Sequence, residues 1–332
     1  MTPSLSIVVA CYNEELELPH CIAALDRYIA SKPPGSIEVV LVDDGSVDGT
    51  WSVLDRTIRE RDGWRAIRLI SNRGSHIALR CAYRHASGAH VVNLPVDLQE
   101  PIENIYRLQA ARDEHGADAV LAVRRSRDDG WWIRVTSRAY NTVMHLVGLR
   151  NLPLEGTSQF LLSRRVVQQI NAHGDHGFTL EGFLASAPLK LSVVWYDRIP
   201  TARLSRWTFK AQVQHALNTV LSFSNVPIRA LSLAGITAAL AGLLYAVVVA
   251  IRFFLYGTYM MGWPSLMTVM LVIGGLNLLA LGLIGEYVWR ILDESRRRPL
   301  YQIDDRVGFE SEMPLEHISA SFARRDTPRS FD

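Results

Sequence analysis

The chain of 332 residues contains little cysteine, and its cysteines form no pattern. Cys11, Cys21 and Cys81 all lie in the N-terminal half, and no Cys-x-x-Cys spacing occurs. An odd number of irregularly spaced cysteines is not typical of a secreted domain held by disulfides. We therefore expect reduced thiols in a part of the chain that faces the cytosol.

An excess of charge of one sign is also lacking, because 35 Lys and Arg residues oppose 33 Asp and Glu residues, a net charge of +2. This balance does not favour nucleic acid as a partner. The histidines are scattered, with His173 and His176 the closest pair, so the spacing indicates no zinc site. The N-terminus lacks a basic flank before a long apolar core, and we expect no secretory signal peptide.

Short apolar runs alternate with amphipathic stretches between residues 5 and 125. Apolar strands separated by helices are typical of a parallel sheet that is covered on both faces. The predicted fold class is therefore α/β and Rossmann-like, with a mostly parallel sheet whose functional residues lie at the carboxyl ends of the strands. The predicted strands are 5–10, 37–44, 66–71, 89–94 and 118–123.

The pattern is looser from about residue 130 to 225. The sequence there predicts a helix over 131–147, a loop over 148–159, a short helix near 164–172 and a β-like run over 189–199.

Two later stretches carry no charge, Ala230–Ile251 and Met260–Gly285. About 20 apolar residues suffice to span a bilayer, and a pair of buried core helices is the alternative. Lys and Arg residues precede the first stretch and follow the second, whereas only Arg252 lies between them. The positive-inside tendency then predicts a transmembrane hairpin with both ends in the cytosol.

These patterns predict an order of domains along the chain. A cytosolic catalytic domain over 1–225 leads into a juxtamembrane region over 203–228, and a polar tail follows the hairpin, loosely ordered after about residue 305. The predicted spans and tail are 229–256, 263–290 and 291–332.

Acidic and polar residues follow several of the predicted strands. The segments are "YNEE", "VDDGSVDGT" and "DLQEP". Alone, Asp-Asp-Gly-Ser is a good turn and helix cap. An acidic residue at a strand end can also accept hydrogen bonds from a base or a ribose, and Gly45 permits close backbone approach.

Together with "SNRGSHIALRCAYRHASGAHVV", these segments resemble the family 2 glycosyltransferases with a GT-A fold. "SFSNVPIRALSLAG" and "IGEYVWRILDESRRRPLY" resemble the polyprenyl-phosphate glycosyltransferase branch. The resemblance covers roughly residues 4–302. It implies inverting transfer of a sugar from a UDP- or GDP-linked donor to undecaprenyl or dolichyl phosphate. It further implies a Mg²⁺ or Mn²⁺ cofactor, integral-membrane location with a cytosolic catalytic domain (a bacterial inner membrane), and possible assembly as a homo-oligomer.

The resemblance also assigns roles to individual residues. Asp97 and Gln99 would hold the metal, Asp97 also acting in catalysis, and Asp44 would lie near the ribose or diphosphate. Arg124 would meet phosphate at the end of the fifth strand, and Arg206 belongs to a Ser-Arg-Trp element. Cys11, Tyr12, Glu14 and Asp43 would hold the nucleoside, and Arg134 and Ser137 the acceptor phosphate.

Three positions depart from the family's pattern. Pro95 replaces the first Asp of the metal motif, Glu155 is the acid left in "EGTSQF", and Arg203 stands where Gly is usual. These departures leave open a non-catalytic membrane protein that binds sugar nucleotides. A processive polysaccharide synthase is a second alternative, disfavoured because such enzymes have more spans.

Overall fold

The computed structural model describes residues 2–125, 157–173, 178–197, 226–256, 262–296 and 299–309. The strands in these ranges form one eight-stranded sheet in the order β7-β5-β6-β4-β1-β2-β3-β8. The strands are β1 (Leu5–Cys11), β2 (Ile37–Asp43), β3 (Trp64–Leu69), β4 (His90–Asn93), β5 (Ala119–Arg124), β6 (Thr157–Ser163), β7 (Leu191–Tyr196) and β8 (Ile303–Val307).

Eight helices lie in the same ranges. They are α1 (Leu18–Ala30), α2 (Thr50–Ile58), α3 (Ser75–His85), α4 (Asn104–His115), α5 (Arg164–Ala172), α6 (Leu180–Ser186), α7 (Val226–Tyr256) and α8 (Trp263–Ser295).

The sheet is mostly parallel, as the sequence predicts. The parallel pairs are β1–β2, β1–β4, β2–β3 and β5–β7, and the antiparallel pairs are β4–β6, β5–β6 and β3–β8. Every residue of β2 is buried. Helices α1, α2 and α4 contribute to the apolar core on one face of the sheet, and α3, α5 and α6 to the core on the other. Burial on both faces explains why these strands are nearly uninterrupted apolar runs.

The predicted loop over 148–159 is wrong for its last three residues, because strand β6 begins at Thr157. It runs antiparallel between β4 and β5, and the side-chain oxygen of Asn93 accepts the backbone N–H of Phe160 at 2.7 Å. Its apolar segment is only three residues long, too short to distinguish a strand from a loop. The predicted helix over 131–147 lies outside the described residues.

Strand β8 lies in the predicted tail and pairs antiparallel with β3. The expectation of loose order after about residue 305 is wrong for residues 305–307. An irregularity between Arg68 and Leu69 shifts the pairing at this edge. The sheet that contains β1 to β5 is therefore completed by residues that follow both long helices.

Helices α7 and α8 carry many exposed apolar side chains, including Leu233, Leu244 and Leu278. Within the described residues, Val272–Trp289 of α8 is long and apolar enough to cross a membrane, with a mean hydropathy of 1.5. Helix α7 contributes a shorter apolar stretch, Leu233–Gly242. The structure thus contains two long helices at the predicted positions, and a hairpin of two membrane spans is not confirmed.

Candidate active site

The loops after β1 and β2 are joined by reciprocal hydrogen bonds at the carboxyl edge of the sheet. The backbone N–H of Asn13 donates to Ser46 Oγ at 2.9 Å, and Val47 N–H donates to Asn13 Oδ1 at 3.0 Å. The N–H of Glu14 donates to Thr50 Oγ1 at 2.8 Å. Asn13 has a left-handed φ of 53°, which asparagine tolerates better than most residues. These hydrogen bonds therefore join the two loops into one unit.

Gly45 brings this unit against the next strand end. Its φ is 69°, and a Cβ atom there would lie 2.6 Å from the backbone carbon of Ser71. No side chain fits in that space. The glycine in "VDDGS" is thus required by the close approach of two backbones.

Asp43, the last residue of β2, is fully buried. Its Oδ1 accepts the backbone N–H of Ser46 at 3.0 Å, and its Oδ2 lies 3.6 Å from Nε of Arg68. Within the described residues, Oδ2 has no hydrogen-bond partner. Burial raises the pKa of the Asp43 carboxyl, while the hydrogen bonds from Ser46 and the charge of Arg68 oppose the rise. A carboxylate oxygen is therefore left as an acceptor.

Asp44 fixes the loop that precedes α3. Its Oδ1 accepts the N–H of Arg73 at 2.8 Å, and its Oδ2 accepts the N–H of Gly74 at 2.7 Å. Burial raises the pKa of this carboxyl, and the two backbone hydrogen bonds act against the rise. The described contacts give Asp44 a positioning role, and its proximity to ribose or diphosphate stays a prediction.

The remaining residues predicted to hold the nucleoside differ in their surroundings. Tyr12 and Glu14 are half-buried at the carboxyl edge. The Cys11 side chain is 1% exposed and belongs to the apolar core, and burial raises the pKa of its thiol well above the usual value. Its thiol is thus surrounded by core residues.

The predicted metal motif forms a turn just beyond β4. The N–H of Leu98 donates to the carbonyl of Pro95 at 3.2 Å, and the N–H of Gln99 donates to Asp97 Oδ1 at 3.3 Å. Leu98 has a φ of 50°, a left-handed conformation that is uncommon for a leucine and costs about 1–2 kcal/mol. Such local strain clusters at functional sites. Leu98 is the residue between Asp97 and Gln99.

The oxygens at this turn suit a hard divalent cation. Asp97 supplies a half-buried carboxylate and Gln99 a buried amide. Within the ranges that the structure describes, no group of three or more His, Cys, Asp and Glu side chains could enclose a metal ion. Mg²⁺ is commonly held by one or two carboxylates together with substrate phosphates and water. The donor set fits an ion that is bound mainly with its substrate.

Glu100 connects this turn to the far part of the sheet, which the sequence did not reveal. Its buried Oε1 accepts the hydroxyl of Tyr196, the last residue of β7, at 2.9 Å. Arg124 ends β5 and is paired in register with Tyr196. Tyr196 therefore links the strand pair that carries Arg124 to the turn that carries Glu100. Arg134, Ser137, Glu155 and Arg206 lie outside the described residues.

Residues 6–171 match the family model of Glycosyl transferase family 2. A bactoprenol glucosyl transferase of Shigella phage SfV is 32% identical over 302 residues, covering 90% of this chain and 97% of that protein. An undecaprenyl-phosphate 4-deoxy-4-formamido-L-arabinose transferase of Proteus mirabilis is 30% identical, covering 92% and 94%. The structure of a Pyrobaculum calidifontis mannosyltransferase with GDP-Man and Mn²⁺ has a TM-score of 0.42 at 19% identity, covering 85% and 88%.

The fold is the GT-A α/β fold with a mostly parallel sheet. The chain belongs to Glycosyl transferase family 2.

Proposed function

We propose that this chain transfers a single sugar from a nucleotide donor to a polyprenyl phosphate, with inversion at the anomeric carbon. The observation that carries the proposal is similarity over 90% or more of the chain to two enzymes named for a bactoprenol or an undecaprenyl-phosphate acceptor. The two relatives carry different sugars in their names. The acceptor is thus better supported than the identity of the sugar.

The acceptor supplies its own nucleophile. A phosphate oxygen attacks the anomeric carbon as the bond from that carbon to the nucleoside diphosphate breaks, and the electron pair leaves with the diphosphate. Because a phosphate monoester is already anionic, no strong general base is needed. Arginine suits the task of holding it, since the guanidinium can donate two parallel hydrogen bonds. Arg124 is the candidate at the described edge, with Arg134, Ser137 and Arg206 proposed from the resemblance.

Asp97 and Gln99 would hold a divalent cation, Mg²⁺ or Mn²⁺, together with the donor phosphates. Such an ion acts as a Lewis acid that stabilises the charge developing on the leaving diphosphate. The turn at Leu98, with its left-handed backbone, would hold both residues just beyond β4. Pro95 supplies no ligand, but its carbonyl closes that turn.

Asp43 is the proposed contact for the base. In this proposal its Oδ2 accepts an N–H of uracil or guanine, and the charge of Arg68 opposes the rise that burial causes in the pKa of Asp43. Tyr12 and Glu14 lie on the loop that is joined to the Asp43 strand end. Asp44 would act through the loop at Arg73 and Gly74.

The long helices would anchor the catalytic domain at the cytosolic face of a membrane. The acceptor phosphate would lie at that face while its prenyl chain stays in the lipid. Support comes from the exposed apolar side chains of α7 and α8 and from the basic residues on the outer flanks. Basic residues on these flanks and only Arg252 between the helices favour cytosolic ends.

A transfer assay tests the proposal. Membranes containing the full chain are incubated with undecaprenyl phosphate and a panel of UDP- and GDP-linked sugars, and the lipid product is measured. A lipid that carries one sugar is expected, and a growing saccharide would indicate a processive synthase. Binding of a nucleotide sugar without any transfer would instead favour the non-catalytic alternative, which Pro95 keeps open.

A further inference from the structure

One buried hydrogen bond joins the turn after β4 to the end of β7. The hydroxyl of Tyr196 donates to Oε1 of Glu100 at 2.9 Å. Tyr196 is 2% exposed and Glu100 is 3% exposed, so solvent has little access to this contact. A hydrogen bond in a water-excluded interior is electrostatically stronger than one at the surface, and it limits how far the two residues can move apart.

The backbone of Tyr196 holds the end of β5. Tyr196 is paired in register with Arg124, and its carbonyl accepts the N–H of Arg125 at 2.9 Å. The same residue thus fixes the backbone at Arg124 with its main chain and contacts Glu100 with its side chain. Removing the hydroxyl leaves the backbone pairing in place, so a substitution can separate the two roles.

Glu100 lies at the other end of this contact, next to the predicted metal ligands. It follows Gln99 directly and lies three residues after Asp97. The N–H of Gln99 donates to Asp97 Oδ1 at 3.3 Å. Beyond Glu100, the carbonyl of Pro101 accepts the N–H of Asn104, the first residue of α4, at 2.9 Å. A shift of Glu100 would therefore reach Gln99 through a single peptide bond.

The polar pair is not needed to fill the core. Tyr196 belongs to the apolar core on the face of the sheet that α1, α2 and α4 cover, and phenylalanine has nearly the same volume. Burying a hydroxyl and a carboxyl group costs free energy that their hydrogen bond must offset. A defined alignment of the two elements is what this pair provides and an apolar pair would not. Those two elements carry Asp97 and Arg124.

We propose that Tyr196 and Glu100 are positioning residues, through which binding of the cation and donor diphosphate at the turn after β4 favours binding of the acceptor phosphate at Arg124. This inference rests on the proposed function. With the hydrogen bond in place, a ligand at one site holds the other site in its binding geometry. Such coupling is reciprocal, so each ligand tightens binding of the other by the same factor. Neither positioning residue contacts a substrate.

A binding experiment without a sugar donor tests this coupling, because no transfer can then occur. The full chain in detergent is titrated with Mn²⁺ in the presence of UDP or GDP, whichever the wild type binds, and bound Mn²⁺ is measured by electron paramagnetic resonance. The titration is repeated with saturating undecaprenyl phosphate, which should tighten Mn²⁺ binding by the wild type about tenfold. In Tyr196→Phe this tightening should fall below about twofold, whereas the Mn²⁺ affinity without lipid should stay within about threefold of the wild type.

Glu100 supplies the conservative rescue. Glu100→Gln keeps a side-chain oxygen that can accept the hydroxyl of Tyr196 and should retain most of the tightening, whereas Glu100→Ala should lose it. Tyr28→Phe is the matched control and should keep the wild-type tightening, because it removes another buried hydroxyl, which donates to Gln109 at 3.5 Å. Thermal unfolding checks each variant, and the two Glu100 variants decide the question if Tyr196→Phe does not fold.

Full tightening in Tyr196→Phe and Glu100→Ala would overturn the inference. Weaker binding of each ligand with an unchanged tightening factor would also overturn it, since the contact would then be purely structural, and so would an equal loss in Tyr28→Phe. A wild type that binds Mn²⁺ with nucleotide and binds the lipid independently would overturn the inference and leave the proposed function. A wild type that binds neither ligand would overturn both.

Discussion

Nε of Arg68 lies 3.7 Å from Oδ2 of Asp304, and the same atom lies 3.6 Å from Oδ2 of Asp43. Arg68 and Asp304 are partly exposed, so their pair itself contributes at most about 1 kcal/mol. Its position is more informative than its strength. Asp304, which follows both long helices, is separated from Asp43, the proposed contact for the base, only by the side chain of Arg68. The chain after α8 is therefore part of the same sheet as Asp43.

Gly308, directly after β8, provides a test of the packing of β8 against β3. A Cβ atom there would lie 2.2 Å from the carbonyl oxygen of Trp64, and its φ is 81°. Gly35 has a similar φ of 72° with nothing within 4 Å. Gly308→Ala should destabilise the domain by about 2–4 kcal/mol, since overpacking adds to backbone strain, and Gly35→Ala by about 1–2 kcal/mol. Denaturant unfolding measures the difference, and equal losses would contradict docking of β8.

The sequence predicts the elements whose signal is local. Strands β1 to β5 are apolar runs with helical patterns between them, and they lie within a few residues of the predicted bounds. Strand β8 reads "IDDRV", with polar residues at its centre, because an edge strand needs little apolar surface. Its partner β3 lies far away in the sequence, and such non-local pairing leaves no local pattern.

The candidate site was predictable to the same extent. Motifs at strand ends marked Asp43, Asp97 and Gln99, because the carboxyl ends of parallel strands share one edge. The contact of Glu100 with Tyr196 was missed, since a glutamate after one strand and a tyrosine at the end of another have ordinary structural explanations. Their meeting depends on tertiary packing, which no spacing in the sequence encodes.

Asp43 should lower stability while it supports binding. Its folded-state pKa is raised, so the folded state binds the proton more tightly. The stability that this proton contributes is present below the unfolded pKa of about 3.9 and is lost as pH rises through the folded pKa. Asp43→Asn should therefore gain stability relative to the wild type as pH rises from about 4 to 7, yet bind nucleotide about tenfold more weakly. Melting curves across this range measure the gain, with exposed Asp62→Asn as the control for lost charge.

Arg124 should contribute to binding of the acceptor phosphate. Arg124→Ala removes a charge-assisted contact worth about 1.5–3 kcal/mol, which corresponds to roughly a ten- to hundredfold loss of kcat/KM for the polyprenyl phosphate. Arg125→Ala is the matched control, because the neighbouring Arg125 is exposed and pairs only loosely with Asp197 at 3.8 Å. Steady-state kinetics at varied lipid concentration compare the two, and wild-type values for Arg124→Ala would remove the residue from the mechanism.

The predicted hairpin determines on which side of the membrane each part of the chain lies. Reporter tags at residues 1 and 332 should both be protected from an impermeant reagent outside the cell, and a tag inserted near Thr258 should be labelled. The reason is that basic residues flank the two helices on their outer ends while only Arg252 lies between them. Labelling in intact and in lysed cells provides the measurement. A protected tag at 258 would contradict the topology.

The last prediction concerns Pro95 and Asp97. Proline offers no side-chain oxygen, so its side chain cannot bind a metal, whereas its carbonyl accepts the N–H of Leu98 and closes the turn. Pro95→Ala keeps that carbonyl and should retain substantial metal-dependent transfer. Asp97→Ala should abolish transfer, and Gln99→Ala should fall between, because a neutral ligand contributes less than a carboxylate. Exposed Glu103→Gln is the control for a lost charge near the turn, and melting curves check each fold. Full activity in Asp97→Ala, or wild-type transfer that is indifferent to chelators, would exclude this metal site.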